Sequence, residues 1–378
     1  MKLCVFPNDP ISAYYKKGEI KERYYNPKNY FEELHIISFS DNDIDVSLVD
    51  KIGGNAKIQI HSVGKINFIN KDFKKNKVLK ILKKIKPDVI RSYNALLEGW
   101  VAAYCSKKLN VPFFVSLHVQ YDSKRNFEKK RNYKKYLALK VYRKNIEPYS
   151  LKNANKITIV YKVIEPYVLD IVNRKPEILY NRIDLTKFRN AEKKYLYDKP
   201  TIITVGRLTK RKNHDCLIKS IKNLDVYLQI IGDGEEEGNL KKLVKELKIE
   251  HKVKFIKSIQ NDEIQNYYKS ANIFVSVYDS KIEGLPMPVL EAMATGLPII
   301  ISEPEENLSD GLEDSVLFSK INPESLSKKI KQILENSDLL KKLSIKSIEK
   351  SYEFDGEKTE QREAEIYQEL MKRWWPTI

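Results

Sequence analysis

The stretch EGLPMPVLEAMATG, Glu283 to Gly296, holds two carboxylates eight residues apart in a segment otherwise almost free of charge. The apolar run after the prolines reads as a helix. Pro288 suits its first position, where a missing N–H would be unpaired in any case, and Gly296 and Pro298 end it. Gly284 to Met287 are then a tight turn between a strand and a helix, the place where open α/β sheets bind ligands. Free N–H groups and the positive end of the helix dipole favour an anion such as a phosphate. With the prolines discounted, only Gly284, Leu285, Met287, Val289 and Leu290 can donate there. Glu291 falls about one turn into the helix, ~5 Å from its start. At that depth a carboxylate can take both hydroxyls of a vicinal diol, as on a ribose. Glu283, at the loop mouth, would face whatever is attached to the phosphate. Each acid also has a plainer reading, Glu283 as a solvated loop acid and Glu291 as a charge that the helix dipole stabilises. Their common phase with the loop and the helix start favours a site.

A second constellation is TVGRLTKRKNHDCLIKS, again at a strand end. Gly206 lets the chain turn, Arg207 follows at once, and Lys212 precedes a helix opened by Asn213. Arginine offers a bidentate fork and lysine a mobile point charge, so the two would clamp a diphosphate. Lysine is abundant in this chain, and the pair gains meaning only beside the first site. G-x-G-x-x-G is absent and IIGDGEEEG supplies only a Gly-Asp-Gly turn, so a dinucleotide fingerprint is not supported.

These loops need strands and helices to hold them. Short β-branched or aromatic runs alternate with helical patterns along all 378 residues. In the first half the runs are KLCVF, ELHIISF, KIQIHSV, PDVIRSY, PFFVSLH, KITIVY and EILYN; in the second, TIITVG, VYLQIIG, KVKFI, ANIFVSV, LPIIIS and SVLFS. Many are continuously apolar, as strands buried on both faces of a parallel sheet are. The alternation predicts α/β domains built from βαβ units. The strands are too many for one sheet and restart after the polar NAEKKYLYDKP, which puts a boundary near Asn190–Lys199: a first domain over 1–190 and a second over 191–354. The last segment, KTEQREAEIYQELMKRWW, is an amphipathic helix ending in Trp374, Trp375 and Pro376; the tryptophans need a surface, sooner a groove on this chain than a partner.

Charge divides the chain as well. There are 38 basic and 19 acidic residues through Asn190, against 30 and 32 beyond, so the net +17 resides in the first half. A lysine-rich coding bias accounts for such a split as readily as a function does. Cys4, Cys105 and Cys216 lie far apart and match no metal spacing, which suits a reducing compartment. The apolar run before Pro7 is too short for a signal peptide and no stretch approaches a membrane span. A cytoplasmic protein is expected, one that meets a membrane from its surface if at all.

The combination resembles the retaining glycosyltransferases of family 4, whose GT-B fold consists of two facing Rossmann-like domains with parallel sheets. The matching residues are Glu283 and Glu291 in an E-x7-E element, VGRL with a lysine five residues after the arginine, IIGDG, YNRID, and the strand VPFFVSLH ending in His118. The resemblance spans essentially the whole chain. It implies that Gly206, Arg207, Lys212 and the Gly284, Leu285 and Met287 turn hold the donor diphosphate. Glu291 would take the ribose and Glu283 the transferred sugar. His118 would contact that sugar from the other domain, and Ile259 would line the base pocket. A final helix, about 355–378, would cross back to the first domain. Taken by itself, a histidine at the end of an apolar strand is more often a satisfied core residue.

The family usually has a Gly-Gly loop after its first strand; here the loop reads NDPISAYYKKGEI. Tyr14, Tyr15, Lys16 and Lys17 are expected on the acceptor side instead. The family's Pro-Asn-Gly is Tyr180-Asn181-Arg182 here. SDNDIDVS contains the D-x-D pattern, Asp43 and Asp45, with which other glycosyltransferases bind Mn²⁺; in an acidic loop far from the other sites it reads as solvated. The basic runs KDFKKNKVLKILKKIK and KRNFEKKRNYKKYLALKVYRK read as amphipathic helices. They suit an anionic lipid surface, and less well a nucleic acid with tyrosines for stacking.

The expected activity is hexosyl transfer with retention, from a nucleoside-diphosphate sugar to a glycan, lipid or protein-linked glycan acceptor. GDP-mannose is favoured over a UDP-glucose type only by its frequency in the family. No metal or other cofactor is expected. A nucleotide-sugar epimerase or hydrolase of the same fold is the alternative, and a nucleic-acid-binding protein ranks last.

Overall fold

The structure, a computed structural model, describes residues 1–374 except Leu196, Ser258, Gln260 and Asn261, and Lys130 in its backbone alone. Trp375 and Pro376 lie outside the described residues. Each apolar run named above forms a strand, trimmed by up to three residues at its ends. They are β1 (Lys2–Phe6), β2 (Glu33–Ser38), β3 (Lys57–Ser62), β4 (Val89–Ser92), β5 (Phe113–Leu117), β6 (Lys156–Ile159), β7 (Glu177–Ile178), β8 (Thr201–Val205), β9 (Tyr227–Ile231), β10 (Val253–Ile256), β11 (Ile273–Ser276), β12 (Ile299–Ser302) and β13 (Leu317–Ser319). One sheet has the order β3-β2-β1-β4-β5-β6-β7 and the other β10-β9-β8-β11-β12-β13. All pairings are parallel.

Burial follows strand position. β4, β5, β11 and β12 are buried along their whole length, because crossover helices cover both faces of a parallel sheet. β3 and β10 end the sheet order on one side and alternate with exposed residues such as Lys57 and Lys254, charges that blunt an open edge. In both sheets the order reverses beside the first strand, between β1 and β4 and between β8 and β11. Loops leaving the carboxyl ends there diverge and open a crevice.

The chain divides into two units, Met1–Tyr180 with the segment from Thr359, and Asn181–Lys358. The division falls ten residues ahead of the polar stretch, since residues 181–195 are held by the second unit. Ile183 pairs with Asp355, Phe188 packs on Tyr268 at 6.0 Å, and the backbone N–H groups of Glu192 and Tyr195 donate to Asn266 and Ser270.

The helix Gly356–Trp374 enters the core of the first unit with Ile366, Tyr367, Leu370 and Met371. Their burial is worth roughly 6–12 kcal/mol as an upper bound. The helix also brings Glu363 to the buried Arg91 of β4 (3.3 Å) and Glu360 to Arg23 (3.1 Å). Arg91 lies over the rings of Phe114 and Tyr93 at 3.4 and 4.6 Å. The Trp374 indole donates to the carbonyl of Asn110 (2.7 Å), a contact within this chain.

Candidate active site

Of the residues expected to hold the donor, Gly206, Arg207, Lys212 and Glu283 lie on the loops at the β8/β11 reversal. β8 runs into Gly206 and Arg207, and β11 into the loop that carries Glu283. The two loops are tied to each other, with the Asp279 N–H donating to the Arg211 carbonyl (3.1 Å). Between them the Lys212 ammonium meets a Glu283 carboxylate oxygen at 2.8 Å and lies 5.2 Å over the Tyr278 ring. The acid and the base that the sequence put in separate constellations are thus an ion pair, largely withdrawn from water. Arg207 is exposed.

The helix begins at Met287, with Pro286 in the capping position, so Pro288 is its second residue and not its first. The turn before it is held from inside by the Tyr278 hydroxyl, which donates to the Gly284 carbonyl (2.7 Å). Burial and the charge of Glu283 keep that phenol well above its usual range. Of the expected donors, Val289 gives its N–H to the Pro286 carbonyl (2.9 Å) and is not available to a ligand. Among the described residues nothing accepts from the N–H groups of Gly284, Leu285 and Met287. At the far end Gly296 (φ +76°) donates to Met293 and Leu297 to Ala292, the Schellman arrangement.

Glu291 is half-buried on this helix and accepts from the hydroxyl of Tyr268 (2.8 Å). The Lys187 ammonium also feels Glu291, although burial lowers its pKa overall. Neither partner was marked by a motif: Tyr268 lies in NYYKS and Lys187 in YNRIDLTKF. Gly206 has φ +154°. Asn213 opens the helix His214–Ser220 as expected, in a left-handed conformation, but its side-chain amide turns back to the Arg211 carbonyl (3.2 Å) and makes no capping bond.

The Gly-Asp-Gly turn packs under this loop. A Cβ on Gly232 would lie 2.1 Å from the Gly206 carbonyl oxygen, and one on Gly234 2.3 Å from that of Leu208. The Leu208 N–H donates to the Asp233 carbonyl (2.7 Å). Ile259 is half-buried in the loop after β10, two strands away from β8.

In the first unit His118 follows β5. Its Nε2 is shut off from solvent, and no described group bonds to it. Burial and then the Arg91 charge lower its pKa to about 4, against the opposing pull of Glu363. The imidazole is therefore neutral at physiological pH. Tyr14 packs inward beside Tyr24 and Tyr25, while Tyr15, Lys16 and Lys17 are exposed. Asp43 is not solvated as expected: it accepts from the N–H groups of Ile11 (3.0 Å) and Ser12 (2.7 Å) and so caps the helix Ile11–Lys16. Asp45 accepts from Ser47 in its own turn. Among the described residues no three metal-ligating side chains cluster.

Residues 186–350, which include Arg207, Lys212, Ile259, Glu283 and Glu291, match the family model for glycosyl transferases group 1. An uncharacterized glycosyltransferase of Haemophilus influenzae is 30% identical over 335 residues, 83% of this chain and 88% of that protein. The chain belongs to the group 1 glycosyltransferases. An enzyme of Campylobacter jejuni named as an N-acetylgalactosamine-N,N'-diacetylbacillosaminyl-diphospho-undecaprenol 4-alpha-N-acetylgalactosaminyltransferase is 31% identical to this glycosyltransferase over 189 residues, 48% of the chain and 50% of that enzyme. The solved structure of Anabaena HepE in complex with UDP superposes with a TM-score of 0.76 at 14% identity, covering 98% of this chain and all of the other. The fold of this glycosyltransferase is GT-B, with two Rossmann-like parallel-sheet units and a last helix that returns to the first.

Proposed function

We propose that this glycosyltransferase binds a nucleoside-diphosphate sugar on its second unit and transfers the hexosyl group, with retention, to a glycan or lipid-linked glycan acceptor. The observation that carries the reading is the Lys212–Glu283 pair standing beside the unspent N–H groups of Gly284, Leu285 and Met287 at the β8/β11 reversal. As the glycosidic bond to the diphosphate breaks, negative charge grows on the leaving oxygen. Arg207, Lys212 and the turn N–H groups stabilise it, with the preorganisation of an oxyanion hole. Glu283, held by Lys212, orients the sugar and does not attack it. The acceptor hydroxyl attacks from the face that the diphosphate leaves, which takes up its proton. No metal is called on.

Glu291, which lies in the first turns of its helix and accepts from the Tyr268 hydroxyl, would take the ribose hydroxyls. UDP is the nucleotide in the HepE structure, so UDP-sugars stand beside GDP-mannose as donors to test. The Campylobacter relative's name gives a diphospho-undecaprenol acceptor, which supports a lipid-linked acceptor here and contact with an anionic membrane.

A thermal-shift panel of nucleotide sugars tests the reading. A donor at a hundredfold excess over its Kd adds about 2.7 kcal/mol of stability. Glu291→Ala weakens that donor about 10- to 100-fold in calorimetry, the loss expected for charged hydrogen bonds. No shift with any donor, or an unchanged affinity in the variant, overturns the assignment. Sugar released at the full turnover rate without acceptor would make the enzyme a hydrolase, and a stable adduct on Glu283 would exclude front-face attack.

A further inference from the structure

Three helices of the second unit converge on the Glu291 carboxylate. Glu291 lies on the helix Met287–Ala294, and its Oε2 accepts from the hydroxyl of Tyr268 (2.8 Å) on the helix Ile264–Ser270. The third is the helix Leu185–Arg189, capped by Asp184, which accepts from the Lys187 N–H (3.0 Å). From this helix the Lys187 ammonium feels Glu291 first among the carboxylates around it, ahead of Asp184 and Asp262.

Tyr268 has little freedom of its own. Its side chain is fully buried, with Phe188 edge-on at 6.0 Å and Phe274 of β11 tilted at 5.8 Å. Burial first, and then the Glu291 charge, hold its phenol well above the usual range, so it keeps its proton and remains the donor. Lys187 and Phe188, neighbours in YNRIDLTKF, thus serve one acid, the first by charge and the second by packing on its hydrogen-bond donor.

The terminal torsion of a glutamate is broad, whereas hydrogen bonds to a diol demand a set direction. A bond from a buried phenol to one carboxylate oxygen supplies that direction, because turning the carboxylate breaks a charge-assisted hydrogen bond. We infer that Tyr268 is a positioning residue that makes Glu291 a reader of the ribose 2′-hydroxyl, so that the enzyme takes donors built on ribonucleoside diphosphates and rejects their 2′-deoxy counterparts. A site that aims a polar group at a hydroxyl rejects the analogue lacking it, since the group is then left unpaired. This rests on the ribose contact proposed for Glu291 and adds the class of donor and the residue that sets it.

Calorimetry on the full chain with UDP, GDP, ADP and CDP and their 2′-deoxy forms tests it. Whichever of the four binds is expected to bind about 10- to 100-fold more tightly than its deoxy form, the range of a hydrogen bond to a charged group. Tyr268→Phe keeps the ring between Phe188 and Phe274 and removes only the donor. It should lower that ratio about three- to tenfold, through weaker binding of the ribonucleotide alone. Glu291→Asp, which keeps the charge but draws it back by one methylene, should lower the ratio as far. In a Glu291→Ala chain the ratio falls to about one, and adding Tyr268→Phe changes it no further. A Tyr268→Phe chain that melts lower yet keeps the parent's ratio assigns Tyr268 to packing alone and overturns the inference. So does equal binding of ribo and deoxy forms by the parent, or a Glu291→Asp chain that discriminates as the parent does. Any of these, with Glu291→Ala still weakening the ribonucleotide, leaves the donor reading standing. Unchanged affinity in Glu291→Ala, or no binding of any of the four, removes the donor reading and this inference with it.

Discussion

Lys212 and Glu283 are close enough to neutralise each other, whereas Arg207, on the same loop as Lys212, is exposed. His214, two residues beyond Lys212, is 4% exposed and its Nδ1 has no described partner. Burial first, and then the Lys212 charge, lower its pKa to about 4, with Asp215 opposing. An unfolded histidine titrates near 6.5. Between those values the unfolded chain holds more protons than the folded one, so stability rises with pH there. It is complete above about 6.5 and lost as the pH falls toward 4, by up to about 3 kcal/mol for this one group. Denaturant unfolding across that window should show the slope, and His214→Leu should flatten it. A variant that loses stability as steeply as the parent would clear His214 of the effect.

At the scale of elements, the candidate site depends on backbone packed against backbone. Gly232 ends β9 against the Gly206 carbonyl, so the loop bearing Arg207 rests on a position with no room for a side chain. Its φ of +143° is one that L residues rarely adopt. Gly232→Ala should cost about 2–5 kcal/mol and diminish the nucleotide-sugar shift as the loop is displaced. Gly238 makes the control: a Cβ there meets nothing within 4 Å and the residue is helical. Gly238→Ala should be neutral or stabilise by about 0.4–1 kcal/mol. Equal denaturation midpoints for the two variants would refute the packing argument.

Across the whole molecule, the chain leaves the second unit at Lys358 and completes the core of the first. The buried Arg91 depends on an acid from that returning helix. Glu363→Ala should therefore cost about 3–5 kcal/mol, the usual result of stranding a buried charge. Arg91→Met combined with Glu363→Leu should recover most of it. Hydrogen exchange can locate the loss. Faster exchange confined to residues 1–180 and the returning helix is expected, and faster exchange in 181–358 alone would contradict the assignment of that helix.

The sequence by itself determined the strands, the two-sheet architecture and the loops that carry the candidate site residues, because these rest on local periodicity and turn chemistry. Each of the apolar runs forms a strand among the described residues, and the E-x7-E element spans the loop after a strand and the start of a helix. Tertiary structure alone decided which groups meet. Lys212 and Glu283 are 71 positions apart, Tyr268 and Glu291 23, and Asp43 caps a helix about 31 residues earlier. No local pattern encodes such pairs. It also decided which side of an amphipathic helix stays in water. YKKYLALKVYRKN has the periodicity of a helix with an apolar stripe, and only the packing around it leaves that stripe uncovered. Periodicity fixes where side chains point on their own element, whereas what they point at depends on every other element.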